Sequence, residues 1–167
     1  MVRLTQSLLL ILLVALAASC GKVNEINIDR EYKHKNEKAF LAYLDSAGYK
    51  RLDALNNGGF VLYKVIKEGD GEVKPYYTSS IKVKYEGKTI NDYVFDTTFE
   101  TNNHNGVIFK VRNLISGWQT ALQYMTEGER WKVIIPWDLA YGAMGTKDIP
   151  PYSTLIFDVE LVEIAVQ

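Results

Sequence analysis

Alternation dominates the chain from Gly59 onward. Ile81, Val83 and Tyr85 are apolar while Lys82, Lys84 and Glu86 are charged, the period-two pattern of a strand with one buried and one wet face. Leu155, Phe157, Val159 and Leu161 repeat the pattern against Asp158 and Glu160 in a run reaching Ile164; those two carboxylates share a face that points to solvent. Shorter β-rich runs cover Phe60 to Ile66, Tyr93 to Asp96, Ile108 to Val111 and Trp131 to Ile135, and Glu68-Gly69-Asp70-Gly71 offers a turn after the first. One segment changes period. Trp118, Ala121, Leu122 and Met125 form a helical stripe that Ser116 can cap, ending before Gly128. About five antiparallel strands with a single amphipathic helix predict an α+β domain whose helix covers one sheet face.

Before Gly59 the pattern differs. Phe40, Tyr43, Leu44 and Ala47 fall at helical spacing, which predicts a helix over about residues 30–47 with Asp29 as its cap and Gly48 as its stop. The Lys and Glu residues between 33 and 38 are expected to face water. Such a helix packs against or leads into the main domain; a dimerisation helix is the other reading. Residues Gly21 to Ile28 are polar and aperiodic, like a tether. Ahead of them, Arg3 and the apolar run Leu8 to Ala18 read as a signal peptide, too short to span a bilayer. The division expected is therefore 1–19 signal peptide, 20–28 tether, 29–58 N-terminal helical extension and 59–167 main domain.

Composition narrows the functional classes. With 47% hydrophobic and 23% charged residues and a formal net charge of -1, the chain has no basic field for nucleic acid. One Cys beside His34 and His104 excludes an internal disulfide and makes a Cys/His metal site implausible. No GxSxG, phosphate loop or HExxH is present. What remains is a set of aromatic and aliphatic residues at turns and element ends among three Trp, eleven Tyr and six Phe. Trp131 and Trp137 read as structural and His104 as a loop residue.

Ala17-Ala18-Ser19-Cys20-Gly21 resembles the bacterial lipobox, although Leu16 lies four residues before the cysteine where the usual pattern has leucine three before. The resemblance implies a lipid-modified Cys20 and anchorage in a bacterial envelope membrane, with the face undetermined. Gly21, in place of a retaining aspartate, points to the outer rather than the inner membrane. An ordinary secretory signal ending near a cysteine is the alternative.

Six further segments occur in order: Val83-Lys84-Tyr85-Glu86-Gly87, Val94-Phe95-Asp96-Thr97-Thr98, Leu114-Ile115-Ser116-Gly117-Trp118, Met125 with Gly128-Glu129, Ile135-Pro136 with Leu139-Ala140-Tyr141-Gly142, and Ile149-Pro150-Pro151 with Leu155-Ile156-Phe157-Asp158-Val159-Glu160-Leu161. Together, over about residues 60–165, they resemble the FKBP family of peptidyl-prolyl cis-trans isomerases. The resemblance implies a half-wrapped antiparallel sheet over one helix with the pocket between them, and no cofactor or metal. Carried over, Trp118 is the pocket floor, Tyr85, Phe95 and Phe157 are walls, and Leu114 is the rim. Ile115 offers a backbone N–H, Tyr141 donates its hydroxyl to a ligand carbonyl, Asp96 faces the twisting amide and the Tyr85 hydroxyl, and Ile149 closes an edge. Thr101, Val107 and Thr146 replace the arginine, aromatic wall residue and histidine common at those places, which softens the rim. Expected partners are proline-containing peptides or unfolded exported proteins, with macrolides as inhibitors. A non-catalytic peptide-binding or chaperone module on the same frame is the rival reading.

Overall fold

A computed structural model describes residues 29–54, 58–99 and 105–166. The signal peptide, the tether and Cys20 lie outside the described residues, as do Thr101 and His104. Helix α1 covers 29–44. Seven strands follow: β1 (Lys50–Asp53), β2 (Phe60–Lys67), β3 (Ser80–Thr89), β4 (Val94–Thr97), β5 (Val107–Lys110), β6 (Arg130–Ile135) and β7 (Leu155–Val166). Helix α2 (Ser116–Leu122) lies between β5 and β6, and short 3-10 turns form at Val111–Asn113 and Trp137–Leu139.

The strands make one antiparallel sheet in the order β1-β2-β6-β7-β3-β4, and β5 also pairs with β3. β7 runs along one edge of β3, whereas the other edge is shared: Ser80–Val83 pair with β5 and Glu86–Lys88 with β4. The α+β class and the helix-covered sheet agree with the sequence, and the strand count rises from about five to seven. Two corrections concern ends. Ser116 is the first residue of α2, and Ile115 occupies the N-cap position. β1 falls inside the segment 29–58 expected to be a helical extension, so the sheet begins before Gly59.

Period two sorts the core onto two sheet faces. On one, Ile81, Val83, Tyr85, Val133, Ile135, Phe157 and Val159 pack with Trp118, Ala121 and Leu122 of α2. On the other, Leu62, Ile134 and Ile156, in register across β2, β6 and β7, pack with Phe40 of α1. Each such side chain taken fully from water contributes about 1.5–3 kcal/mol. α2 can sit low because Gly117 has no side chain: a Cβ there would lie 2.4 Å from Ile135 Cγ2.

α1 differs from the expected stripe. It stops at 44, Leu44 and Ala47 are exposed, and the docked face carries Tyr32, Asn36, Phe40 and Tyr43. Lys33 and Glu37, expected in water, are half-buried: the Lys33 ammonium lies 4.9 Å from the Trp137 ring centroid, and Glu37 Oε1 accepts the Trp137 indole N–H at 3.2 Å. The Asp158 carboxylate is likewise partnered rather than simply solvated, accepting both the Nε–H and an Nη–H of Arg130 at 2.6 and 2.9 Å. No helix among the described residues is long and apolar enough to cross a membrane.

Candidate active site

Between α2 and the sheet is an open cavity of about 250 Å³, lined by Tyr85, Phe95, Asp96, Phe109, Asn113, Leu114, Ile115, Trp118, Tyr141 and Phe157. This volume lies at or below the small end of ordinary ligand pockets, suited to one ring and its flanking amides. Trp118 forms the floor. Its indole meets the Tyr85 and Phe157 rings edge-on at centroid distances of 5.2 Å each, and Phe95 meets Phe157 at 5.7 Å. Near-perpendicular packing of this kind suits the ring quadrupoles and fixes the walls.

Phe95 and Asp96 pose a geometric question, because neighbours on a regular strand face opposite ways. The register answers it. Gly87 pairs with Asp96 and Lys88 with Val94, so β4 carries an extra residue at Phe95, and a bulge of this kind re-aims side chains. Beyond it, the Thr98 N–H donates to Tyr85 O and the Tyr85 N–H donates to Thr98 Oγ1, both at 2.8 Å. That clamp holds Tyr85 opposite the bulge. Its hydroxyl donates to Asp96 Oδ2 at 2.5 Å, a charge-assisted bond that orients the carboxylate.

Burial, followed by the bond to Asp96 and the Asp96 and Tyr141 charges, pushes the Tyr85 hydroxyl well above the ordinary tyrosine range. Burial and the Asp96 charge also raise that of Tyr141. Both hydroxyls therefore remain protonated donors at neutral pH. The Ile115 N–H has no acceptor among the described residues. It stands just ahead of α2, beside Leu114, whose carbonyl accepts from Gln119 Nε2 at 2.7 Å.

Gly87 makes room for two walls. A Cβ there would come within 2.6 Å of both the Phe157 and Phe95 rings. Gly87→Ala is expected to cost about 1–3 kcal/mol through overpacking, read as a lower urea midpoint at unchanged slope. An unmoved midpoint would show that the rings have room to retreat.

The structure thus brings together Tyr85, Phe95, Asp96, Leu114, Ile115, Trp118, Tyr141 and Phe157. Val107 and Ile149 are not among the lining residues. Ile149 is a buried core residue, and the wall expected at Val107 is supplied by Phe109, whose ring lies 6.2 Å from that of Tyr85. Phe109 and Asn113 are the lining residues that sequence reasoning missed. The half-exposed rhythm Val107, Phe109 on β5 was the available signal for the first, and nothing marked Asn113. Thr146 is structural: its hydroxyl accepts the Ile149 N–H at 3.1 Å, and its own N–H donates to Ile149 O at 2.8 Å. Among the described residues no cluster of His, Cys, Asp or Glu could hold a metal.

Comparison with known proteins agrees with this geometry. The macrophage infectivity potentiator of Trypanosoma cruzi is 40% identical over 113 residues, covering 67% of this chain and 57% of its own. The FKBP-type 22 kDa peptidyl-prolyl cis-trans isomerase of Escherichia coli is 42% identical over 103 residues, covering 61% and 48%. The chain therefore spans about half the length of these curated relatives. The crystal structure of FkpA from Escherichia coli superposes with a TM-score of 0.72 at 29% identity, over 89% of this chain and 66% of that one. Residues 71–162 match the family model described as FKBP-type peptidyl-prolyl cis-trans isomerase, and the chain belongs to that family.

Proposed function

We propose that the protein is a peptidyl-prolyl cis-trans isomerase that accelerates rotation about X-Pro bonds in exported polypeptides. The observation that carries this reading is the Asp96 carboxylate, held by the Tyr85 hydroxyl at the wall of an aromatic cavity. Uncatalysed rotation meets a barrier of about 18–20 kcal/mol because resonance keeps the amide planar. No covalent bond need form or break.

In the twisted state the carbonyl oxygen loses part of its negative charge and the nitrogen becomes pyramidal. An apolar site resists the planar, more charge-separated form more than the twisted one. The proline ring lies over Trp118 between Tyr85, Phe95 and Phe157. The Ile115 N–H and the Tyr141 hydroxyl donate to carbonyls flanking the bond, holding one side of the peptide while the other turns. Asp96 faces the rotating carbonyl, where its charge opposes the planar dipole. Fixed groups of this kind need no rearrangement as the amide twists. Lowering the barrier by about 4–7 kcal/mol corresponds to roughly 10³–10⁵ in rate.

Protease-coupled turnover of a short X-Pro peptide tests the reading. Accelerated exchange supports it, and exchange at the solvent rate with peptide still bound would leave a peptide-binding or chaperone module instead. The same pocket is proposed to accept macrolides, which would compete with the peptide.

The proposed setting is the bacterial envelope, with residues 1–19 removed as a signal, Cys20 lipidated and anchored in the outer membrane, residues 20–28 as tether, and clients among newly exported chains. The lipobox-like Cys20 supports this. Mass spectrometry of the mature protein is expected to find an acylated N-terminal Cys20; an unmodified Cys20 or cleavage elsewhere would remove the anchor from the account.

A further inference from the structure

Asn36 is a polar residue on a docked helical face, completely buried and engaged across 118 positions of sequence. Its Oδ1 accepts the Thr154 N–H at 2.8 Å, its backbone carbonyl accepts the Thr154 hydroxyl at 3.1 Å, and its Nδ2 donates to Tyr32 O at 2.9 Å. One turn earlier, the Tyr32 hydroxyl shares a 3.1 Å hydrogen bond with Ser153 Oγ, which donates to Pro150 O at 2.7 Å. Glu37 accepts the Trp137 indole N–H. The partners outside α1 lie toward the two ends of one connection, 136–154, between β6 and β7. That connection carries Tyr141 into the cavity.

The path continues to Tyr141 through the backbone. The Gly142 N–H donates to Trp137 O at 2.8 Å, and the Tyr152 N–H donates to Gly142 O at 3.0 Å. Trp137 and Tyr152 also pack edge-on at 5.1 Å, with the Lys33 ammonium 4.9 and 5.4 Å from their ring centroids. Thus two of the residues that α1 contacts, Trp137 and Tyr152, also hold Gly142, the immediate neighbour of Tyr141, and Tyr152 is followed directly by Ser153 and Thr154, which α1 holds through Tyr32 and Asn36. Gly142 itself takes a left-handed conformation, φ +67°, and on its far side Tyr141 O accepts the Gly145 N–H at 3.2 Å.

We propose that α1 is a brace for the Tyr141 loop, with Asn36 and Glu37 as positioning residues that set how well the Tyr141 hydroxyl meets a ligand carbonyl. The proposal rests on the isomerase reading for its kinetic consequence and on the hydrogen-bond path for its structural one. A buried amide that served only stability would lower turnover, if at all, independently of Tyr141. A positioning residue loses its effect once the positioned group is gone.

The test is a double-mutant cycle in the full chain. Asn36→Ala is expected to lower kcat for an X-Pro peptide about 5- to 10-fold, since small misplacements of an oriented group are costly. In a Tyr141→Phe background the same change is expected to alter kcat by less than about twofold, the coupling that contact through a shared network predicts. Equal losses in both backgrounds would overturn the brace. Should Asn36→Ala fail to fold, Tyr32→Phe combined with Glu37→Ala removes two docking bonds from half-buried positions and takes its place. Glu37→Gln, which keeps an acceptor for Trp137, should then restore what Glu37→Ala loses. Amide exchange supplies a readout independent of activity: the Gly142 and Tyr152 amides should exchange faster in the braceless variants while those of β3 and β7 stay protected. If the unmodified protein shows no turnover the isomerase reading falls, and exchange alone decides the brace, with unchanged loop protection refuting it.

Discussion

Replacing Asp96 with alanine is expected to lower kcat/KM for a short X-Pro peptide about 100-fold, the low end of the roughly 10²–10³ range for removing a single preorganised electrostatic group. The loss should fall on kcat with KM little changed if, as proposed, the carboxylate discriminates twisted from planar amide rather than binding the peptide. Two effects are removed together in this variant: the charge facing the amide, and the acceptor that holds the Tyr85 hydroxyl at 2.5 Å. Asp96→Asn separates them. Its amide oxygen can still accept from Tyr85 but carries no charge, so a loss close to that of alanine assigns the effect to charge. Near-native turnover in Asp96→Asn would assign it to the position of Tyr85. An unchanged kcat/KM in Asp96→Ala would remove Asp96 from the mechanism.

Trp118→Ala should be the most damaging single truncation for stability. The side chain is 5% exposed, sits on α2 where Gly117 lets the helix approach Ile135, and abuts both Tyr85 and Phe157. Large-to-small changes at such aromatic sites cost about 3–5 kcal/mol, a large fraction of the stability of an ordinary domain. Urea unfolding should show a sharply lower midpoint, and turnover should vanish because the floor proposed to lie under the proline ring is gone. Trp118→Phe retains an apolar floor and should be milder on both measures. A midpoint unchanged in Trp118→Ala would mean that the indole packs far less tightly than its contacts indicate.

Much of this site was legible in the chain because strand alternation and helical spacing placed Tyr85, Trp118 and Phe157 on apolar faces before any contact was known. Phe95 with Asp96 was harder. Only the bulge opposite Gly87 and Lys88 explains how adjacent residues share a pocket, and a bulge leaves no mark in the hydrophobic pattern. Val107 and Phe109 lie on the same face of β5, so the choice between them depends on the β3–β5 register, Ile81 with Phe109 and Val83 with Val107. Register between strands is a tertiary property. β1 escaped notice because Lys50, Arg51 and Asp53 surround a single Leu52, as suits an edge strand that pairs on one side and is blunted by charge.

Asn36 was invisible for a different reason. Within a run of Lys, Glu and His an asparagine reads as another solvated position, and only the arrival of Thr154 from the far end of the chain makes it a buried partner. The same holds for Lys33 and Glu37, whose ring and indole contacts belong to Trp137 and Tyr152. Conversely, the resemblance implied a pocket edge at Ile149, which is a buried core residue whose N–H donates to the hydroxyl of Thr146. For Asn36, Lys33 and Glu37 the helical pattern placed the residue in α1, and a long-range contact decided what it does.

The pocket itself is proposed to speed rotation about the bond preceding proline. Exchange NMR on an X-Pro peptide with a substoichiometric amount of the protein measures that rotation directly, without a coupling protease. Cross-peaks between cis and trans signals should appear with the unmodified protein, at a rate proportional to its concentration, and weaken strongly with Asp96→Ala. Peptide signals that broaden or shift on binding while cis and trans exchange no faster than in buffer would contradict the account.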